Sequence, residues 1–216
     1  MVEVLGELCG TYHQVSKIEE KEKSLLMKYG INVERSDIHD AAGINDDYPV
    51  GRGVFIEEQN EFVVLVNFED HIQIIMLPET GRFNNVRRSI QRMEKLTKTF
   101  DKMGFATDSY LGFLTVSPAN LGTGMAFTAT QVLDGKKRTR DEVDSIRQIL
   151  NEGLSQAKGM VVDVEEELSE TDRMEGVVSA VRVKFSTKQT LAPNYNESIQ
   201  IEDFLWAMKR VSEFDE

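Results

Sequence analysis

The sequence predicts an α+β fold in which an antiparallel sheet carries helices on one face. Two observations point there. β-rich runs follow one another across tight turns, as Val54–Glu58 and Glu61–Phe68 do on either side of Gln59-Asn60, a hairpin pattern. Long amphipathic helices interrupt the strands without the regular strand–helix alternation that builds a parallel sheet.

In chain order, the first element is a helix over Ser16–Tyr29. Ser16 is the expected N-cap, Glu19 follows three residues on, Leu25, Leu26 and Tyr29 form the apolar stripe, and Gly30 is the stop. Residues 31–50, with Gly43, Asn45, Asp46, Asp47 and Pro49, read as an irregular connection. After the hairpin, His71–Leu77 reads as a third strand. Asn85–Met103 carries Val86, Ile90, Met93, Leu96, Phe100 and Met103 at spacings of three and four. That is a long helix with a basic outer face of Arg87, Arg88, Arg92, Lys95 and Lys98. Gly112–Val116 and Met125–Leu133 read as strands, and Asp141–Leu154 as a helix with Val143, Ile146, Ile149 and Leu150 facing inward. Met160–Val164 and the alternating run Val177–Phe185 are strands again, and Ile201–Phe214 closes as an amphipathic helix bearing Trp206. These strands are expected in one antiparallel sheet.

Composition narrows the function. The chain has 216 residues, 40% of them apolar, which suffices for one domain with its own core and suggests a single domain over 1–216. The 25 Lys and Arg stand against 37 Asp and Glu, a formal charge of −12. Such a balance excludes nonspecific grip on a phosphate backbone, which depends on basic patches. Cys9 is the single cysteine, so no internal disulfide framework or paired-cysteine metal site can form; it reads as a small buried apolar residue. No apolar run reaches the roughly 18 residues of a membrane span, and Met1-Val2-Glu3-Val4 lacks a signal-peptide pattern, so a soluble intracellular protein is expected.

Three motifs carry a resemblance: Tyr48-Pro49-Val50-Gly51-Arg52-Gly53, Asn67-Phe68-Glu69-Asp70-His71, and the run Gly112–Gly124 with Asn120-Leu121-Gly122-Thr123 near its end. Together they resemble the C-terminal catalytic domain of the phosphagen kinases, the ATP:guanidino phosphotransferases such as arginine and creatine kinase. The resemblance is strongest over 48–123, reaches back to Leu8-Cys9-Gly10-Thr11-Tyr12, and beyond about residue 155 lies in the pattern of elements. It implies the family's saddle-shaped antiparallel sheet, of the glutamine synthetase type, with helices over the convex side. It also implies a truncated copy, without the N-terminal helical domain and the Ser-Thr-Arg-Val-Arg strand that bring phosphate-binding arginines.

The resemblance further implies that the catalytic set is degenerate. Glu69 falls where the family glutamate grips the guanidinium, next to Phe68 in place of a second acid. Ser117 replaces the reactive cysteine, and a hydroxyl does not ionise near neutral pH without a base beside it. Positions of nucleotide-binding arginines are held by Gln73, by Ala126 and, in an acidic loop Val164-Glu165-Glu166-Glu167, by Glu166. Phosphoryl transfer needs concentrated positive charge on the phosphates, best from planar guanidinium forks. Neither nucleotide, cofactor nor metal binding is therefore expected.

Each residue also has a plainer reading. Glu69 can be a strand-end acid hydrogen-bonding a turn, His71 a residue packed at a strand start, and the glycine turns simple fold markers. Gly122-x-Gly124 lacks a third glycine and an ensuing helix, so it is no dinucleotide loop. Asp163 with Glu165–Glu167 and the basic cluster Lys136–Arg140 read as solvated charge runs. Two functions remain: a non-catalytic scaffold that binds protein partners in a larger assembly, by family analogy ciliary or cytoskeletal, or a residual guanidino-ligand or nucleotide binder, including an arginine kinase that needs a partner.

Overall fold

The computed structural model describes residues 5–6, 8–34, 37–41, 43, 45–77, 83–133, 137–154, 160–167, 177–178, 180–187 and 196–213. Of the predicted segments, residues 35, 36, 42 and 44 of the irregular connection, together with Lys136, Ser179 and Phe214, lie outside them. The chain forms two compact units, Met1–Phe105 and Ala106–Glu216.

The first unit is a four-stranded antiparallel sheet in sequence order: β1 (Gly10–Gln14), β2 (Gly53–Glu57), β3 (Phe62–Val66) and β4 (Ile72–Met76). Every residue of β2 and β3 is buried, and apart from Glu57 at the end of β2 these strands read as continuous apolar runs. Val54, Ile56, Val63 and Leu65 face one layer with Leu26, Ile31 and Val33. Phe55, Phe62, Val64 and Val66 face the other with Leu96 and Phe100. Both faces of this sheet are thus covered. β1 lies within a region with no strand assigned in the sequence reading; it is an exposed edge whose apolar content is too low to announce it.

Helix α1 spans Glu20–Lys28, not the predicted Ser16–Tyr29: Val15–Lys17 is a 3₁₀ turn, and the N-cap is Glu19, without a side-chain bond. Its end matches the glycine signal. Gly30 has φ +72°, Gly30 N–H donates to Met27 O at 2.9 Å, and Ile31 N–H to Leu26 O at 3.0 Å, a left-handed stop that only a residue without Cβ adopts freely. A short α2 (Asp37–Ala41) follows in the irregular connection. Helix α3 (Phe83–Phe100) passes into a 3₁₀ turn at Asp101–Met103, and its Leu96 and Phe100 are buried. Arg92 does not belong to the outer face. It lies 3.3 Å from Glu57, pairs also with Glu61, and stacks 5.6 Å from the Phe62 ring.

The second unit opens with a two-residue pair, β5 (Thr107–Asp108) and β6 (Gly112–Phe113). Then come β7 (Thr128–Leu133), β8 (Arg138–Thr139), α4 (Arg140–Leu154), β9 (Met160–Glu167), β10 (Val177–Val178), β11 (Ala180–Thr187) and α5 (Glu197–Ser212). The order β7-β11-β9 forms an antiparallel sheet, and β8 pairs with β10. On β11, buried Val181, Val183 and Phe185 alternate with outward Arg182 and Lys184. Helices cover that inner face: α5 brings Phe204 to 5.6 Å from Phe185 and 4.7 Å from Phe127.

The α+β class with antiparallel pairing is borne out. The single sheet is not: the predicted strands pair in two main sheets, one per unit, with two short pairs beside them. Two inward assignments also change. Ile149 is 44% exposed while Val143, Ile146 and Leu150 are buried, and Cys9 is exposed. The basic cluster is only partly solvated, since Arg138 is buried and donates to Leu133 O at 3.0 Å.

Candidate functional site

In the first unit, the site positions gather around the β3–β4 connection Asn67–His71. Asn67 sets its geometry. Its φ of +57° lies in the left-handed region that Asn tolerates better than most residues. Its N–H donates to His71 O at 3.0 Å and its Nδ2 to Gly51 O at 2.9 Å. The Gly51-Arg52-Gly53 segment is held in turn by Arg52 O, which accepts Val15 N–H at 3.0 Å, and by the Arg52 guanidinium 5.5 Å from the Tyr48 ring. A shallow depression of about 530 Å³ lies here, lined in part by Asp46, Asp47, Arg52 and Asn67.

Glu69 sits half-buried on this connection. Among the described residues nothing hydrogen-bonds its carboxylate, so the turn-bonding role read for it falls to Asn67 instead. His71 is exposed rather than packed. Gln73 lies on β4 opposite Leu65, exposed, on a strand whose neighbours are fixed by regular pairing. An arginine there would have a rigid base and open access to an anion; an amide offers no charge.

In the second unit, Gly112–Gly124 forms a closed loop. Phe113 N–H donates to Gly122 O at 2.8 Å, and a Cβ on Gly112 (φ +69°) would fall 2.4 Å from that oxygen. Glycine at 112 is a requirement of this backbone approach. Ser117 is half-buried and extended; its carbonyl accepts Asn120 N–H at 3.0 Å and Thr115 Oγ1 at 2.8 Å as the Pro118–Asn120 turn begins. Beyond it, buried Thr123 donates through Oγ1 to Gln200 Oε1 at 2.8 Å, and Gln200 Nε2 donates to Met125 O. Gln200 is fully buried on α5. The sequence reading missed it, although it occupies the inward stripe with Phe204, Ala207 and Val211. A polar residue at such a position must find partners, and it finds the loop. Ala126 is exposed on this firmly held segment.

Glu165–Glu167 do not form a loop. They continue β9, with Glu166 opposite Val181 and Glu165 opposite Arg182. Glu166 lies 3.7 Å from Arg147 of α4, which also donates to Val164 O at 3.3 Å, and Glu165 lies 4.0 Å from Arg182. β9 thus runs three residues beyond the predicted Met160–Val164, with Glu165 and Glu166 each beside an arginine. Residues 168–176 lie outside the described residues. Among the described residues no group of three His, Cys, Asp or Glu converges as metal ligands, and no helix is long and apolar enough to cross a membrane.

Known proteins share both the sequence pattern and the fold. The profile of the ATP:guanido phosphotransferase C-terminal catalytic domain matches residues 2–179. Arginine kinase of Anthopleura japonica is 27% identical over 201 residues, 91% of this chain and 27% of that protein. Taurocyamine kinase of Schistosoma mansoni is 36% identical over 121 residues, 55% of this chain and 16% of that protein. Human creatine kinase M-type is 32% identical over 125 residues, 56% of this chain and 33% of that protein. The chain thus spans a third or less of the length of these relatives. Among solved structures, the duplicated S. mansoni taurocyamine kinase with transition state analog components superposes with a TM-score of 0.73 at 22% identity, covering 99% of this chain and 28% of that one. Lombricine kinase superposes with a TM-score of 0.70 at 18% identity, covering 99% and 56%. At these identities the superpositions speak to fold alone.

Proposed function

Because the chain belongs to the ATP:guanido phosphotransferase family through its C-terminal catalytic domain, we propose that it is a non-catalytic member acting as a scaffold for protein partners. One observation carries this. Gln73 and Ala126, where the resemblance places phosphate-binding arginines, both sit exposed on well-held backbone. The supports persist while the charges are gone. Phosphoryl transfer rests almost wholly on positioning and neutralising phosphate charge, and one lost contact of this kind costs about a hundredfold or more in rate. Ser117 in place of the thiol removes the ready anion on the acceptor side. A fold that keeps its well-held backbone but lacks these phosphate-binding charges is suited to contact through its surfaces, in an intracellular assembly of ciliary or cytoskeletal type.

A second reading draws on Glu69. A half-buried carboxylate without a bonding partner among the described residues is suited to receive a guanidinium, so a residual guanidino-ligand binder, or an arginine kinase completed by a partner, is the alternative.

The purified protein, assayed with Mg-ATP and arginine, creatine or taurocyamine, is expected to form no product above background. Calorimetry with Mg-ADP is expected to show no heat of binding. Product formation that vanishes in Glu69→Gln would overturn the scaffold reading; arginine binding without turnover, lost in the same variant, would establish the alternative.

A further inference from the structure

We propose that the basic face of α3 docks onto the acidic face of α4 in a second copy of this chain. On α3, Arg87, Arg88, Lys95 and Lys98 are all exposed. At 100° per residue they fall within an arc of about 100°, and at 1.5 Å per residue they span roughly 16 Å. One acid, Glu94, borders them, paired with Lys98 at 2.8 Å. On α4, Asp141, Asp144 and Glu152 are exposed. They occupy an arc of about 80° and the same roughly 16 Å of helix. Asp144 shares its charge with Arg147, and Glu152 accepts from Gln148 at 2.7 Å.

A concentrated basic stripe is out of keeping with a chain of net charge −12. The same net charge disfavours a nucleic acid or an anionic membrane, whose dense charge would meet the acidic remainder of the surface. A stripe of equal length and opposite sign is already present on α4. Beside it, Ile149 is 44% exposed between buried Ile146 and Leu150, an apolar side chain at the rim of the acidic face where a docked helix would cover it. Two helix faces of this length bury less than the roughly 1,200 Å² at the lower bound of stable interfaces. The association is therefore weak, concentration-dependent and sensitive to salt. It supplies the scaffold reading with one partner and rests on that reading only for its purpose, since nucleotide chemistry does not enter it.

Sedimentation velocity at rising protein concentration tests the contact. Wild type is expected to self-associate at about 0.1 M NaCl and to be monomeric at about 1 M, where the screening length falls from about 10 Å to about 3 Å. Reversal of the α3 stripe (Arg87→Glu, Arg88→Glu, Lys95→Glu, Lys98→Glu) or of the α4 stripe (Asp141→Lys, Asp144→Lys, Glu152→Lys) is expected to weaken self-association at least tenfold. A 1:1 mixture of the two variants, and a chain carrying both reversals, is expected to regain it. Circular dichroism identifies a reversal that unfolds its helix, and Lys95→Gln with Lys98→Gln then takes the place of the α3 set. A wild type monomeric throughout, association indifferent to either reversal, or no recovery on charge exchange overturns the proposal. Loss of self-association leaves the phosphotransfer result unaffected, so the two readings fail separately.

Discussion

Glu57 ends β2 with a carboxylate that is only 5% exposed, and such a group is tolerable only when donors surround it. Its Oε2 accepts Gln59 N–H at 2.9 Å and Glu61 N–H at 3.1 Å, and its Oε1 faces Arg92 at 3.3 Å. One side chain thus closes the β2–β3 turn, where Asn60 adopts φ +56°, and anchors α3 to it. Glu57→Ala removes the acceptor of two backbone donors and one of the two carboxylates paired with Arg92, which keeps Glu61, so a loss of about 2–3 kcal/mol in unfolding free energy is expected by denaturant titration. A loss under 0.5 kcal/mol would deny the clamp. Gln200 poses the same problem in the second unit. Gln200→Leu keeps the volume but removes the amide bonded to Met125 O and Thr123 Oγ1, leaving Thr123 Oγ1 only its longer bonds to Met125 O at 3.5 Å and from Met125 N–H at 3.3 Å, for an expected cost of about 1–3 kcal/mol. Faster amide exchange at Met125 in that variant would identify the loop as what the amide holds.

Among the elements, α4 begins at Arg140, one residue before the predicted Asp141, and the side chains that cap it are close neighbours in the sequence. Thr139 and Glu142 form a reciprocal capping box: Thr139 N–H donates to Glu142 Oε2 at 2.7 Å, and Glu142 N–H donates to Thr139 Oγ1 at 3.3 Å. Thr139→Ala is expected to cost about 1 kcal/mol and Thr139→Ser little. The hydrogen bond from the Thr139 backbone, then that from its hydroxyl, holds the Glu142 carboxyl below the ordinary glutamate value of 4.5. A depressed folded value means the stabilisation is complete above 4.5 and lost as pH falls through the lower folded value. The stability difference between wild type and Glu142→Gln should therefore shrink as pH drops below 4.5; a difference that grows on acidification would contradict the cap.

For the molecule as a whole, the charge of −12 is the dominant electrostatic fact. Excess charge of one sign repels itself more strongly in the compact state than in the unfolded chain. Screening should relieve that repulsion, so the thermal midpoint, read at a protein concentration where the chain is monomeric, is expected to rise between about 0.01 M and about 0.2 M NaCl. A fall over that range would mean that favourable ion pairs such as Glu57–Arg92 outweigh the repulsion.

The sequence by itself determined the family, the antiparallel α+β class, the core strands β2 and β3, the stop at Gly30, and the uncharged residues at 73 and 126. Those features are local: apolar period, turn chemistry and residue identity are all read within a few positions of one another. Only the tertiary structure decided that Arg92 turns inward to Glu57, that Glu165 and Glu166 extend a strand beside Arg182 and Arg147, that Ile149 faces out, and that Gln200 supports the loop carrying Ala126. Thirty-five residues separate Glu57 from Arg92 and 77 separate Thr123 from Gln200. A charged or polar side chain takes its conformation from whichever partner the fold brings within hydrogen-bonding distance, and no local pattern specifies that partner.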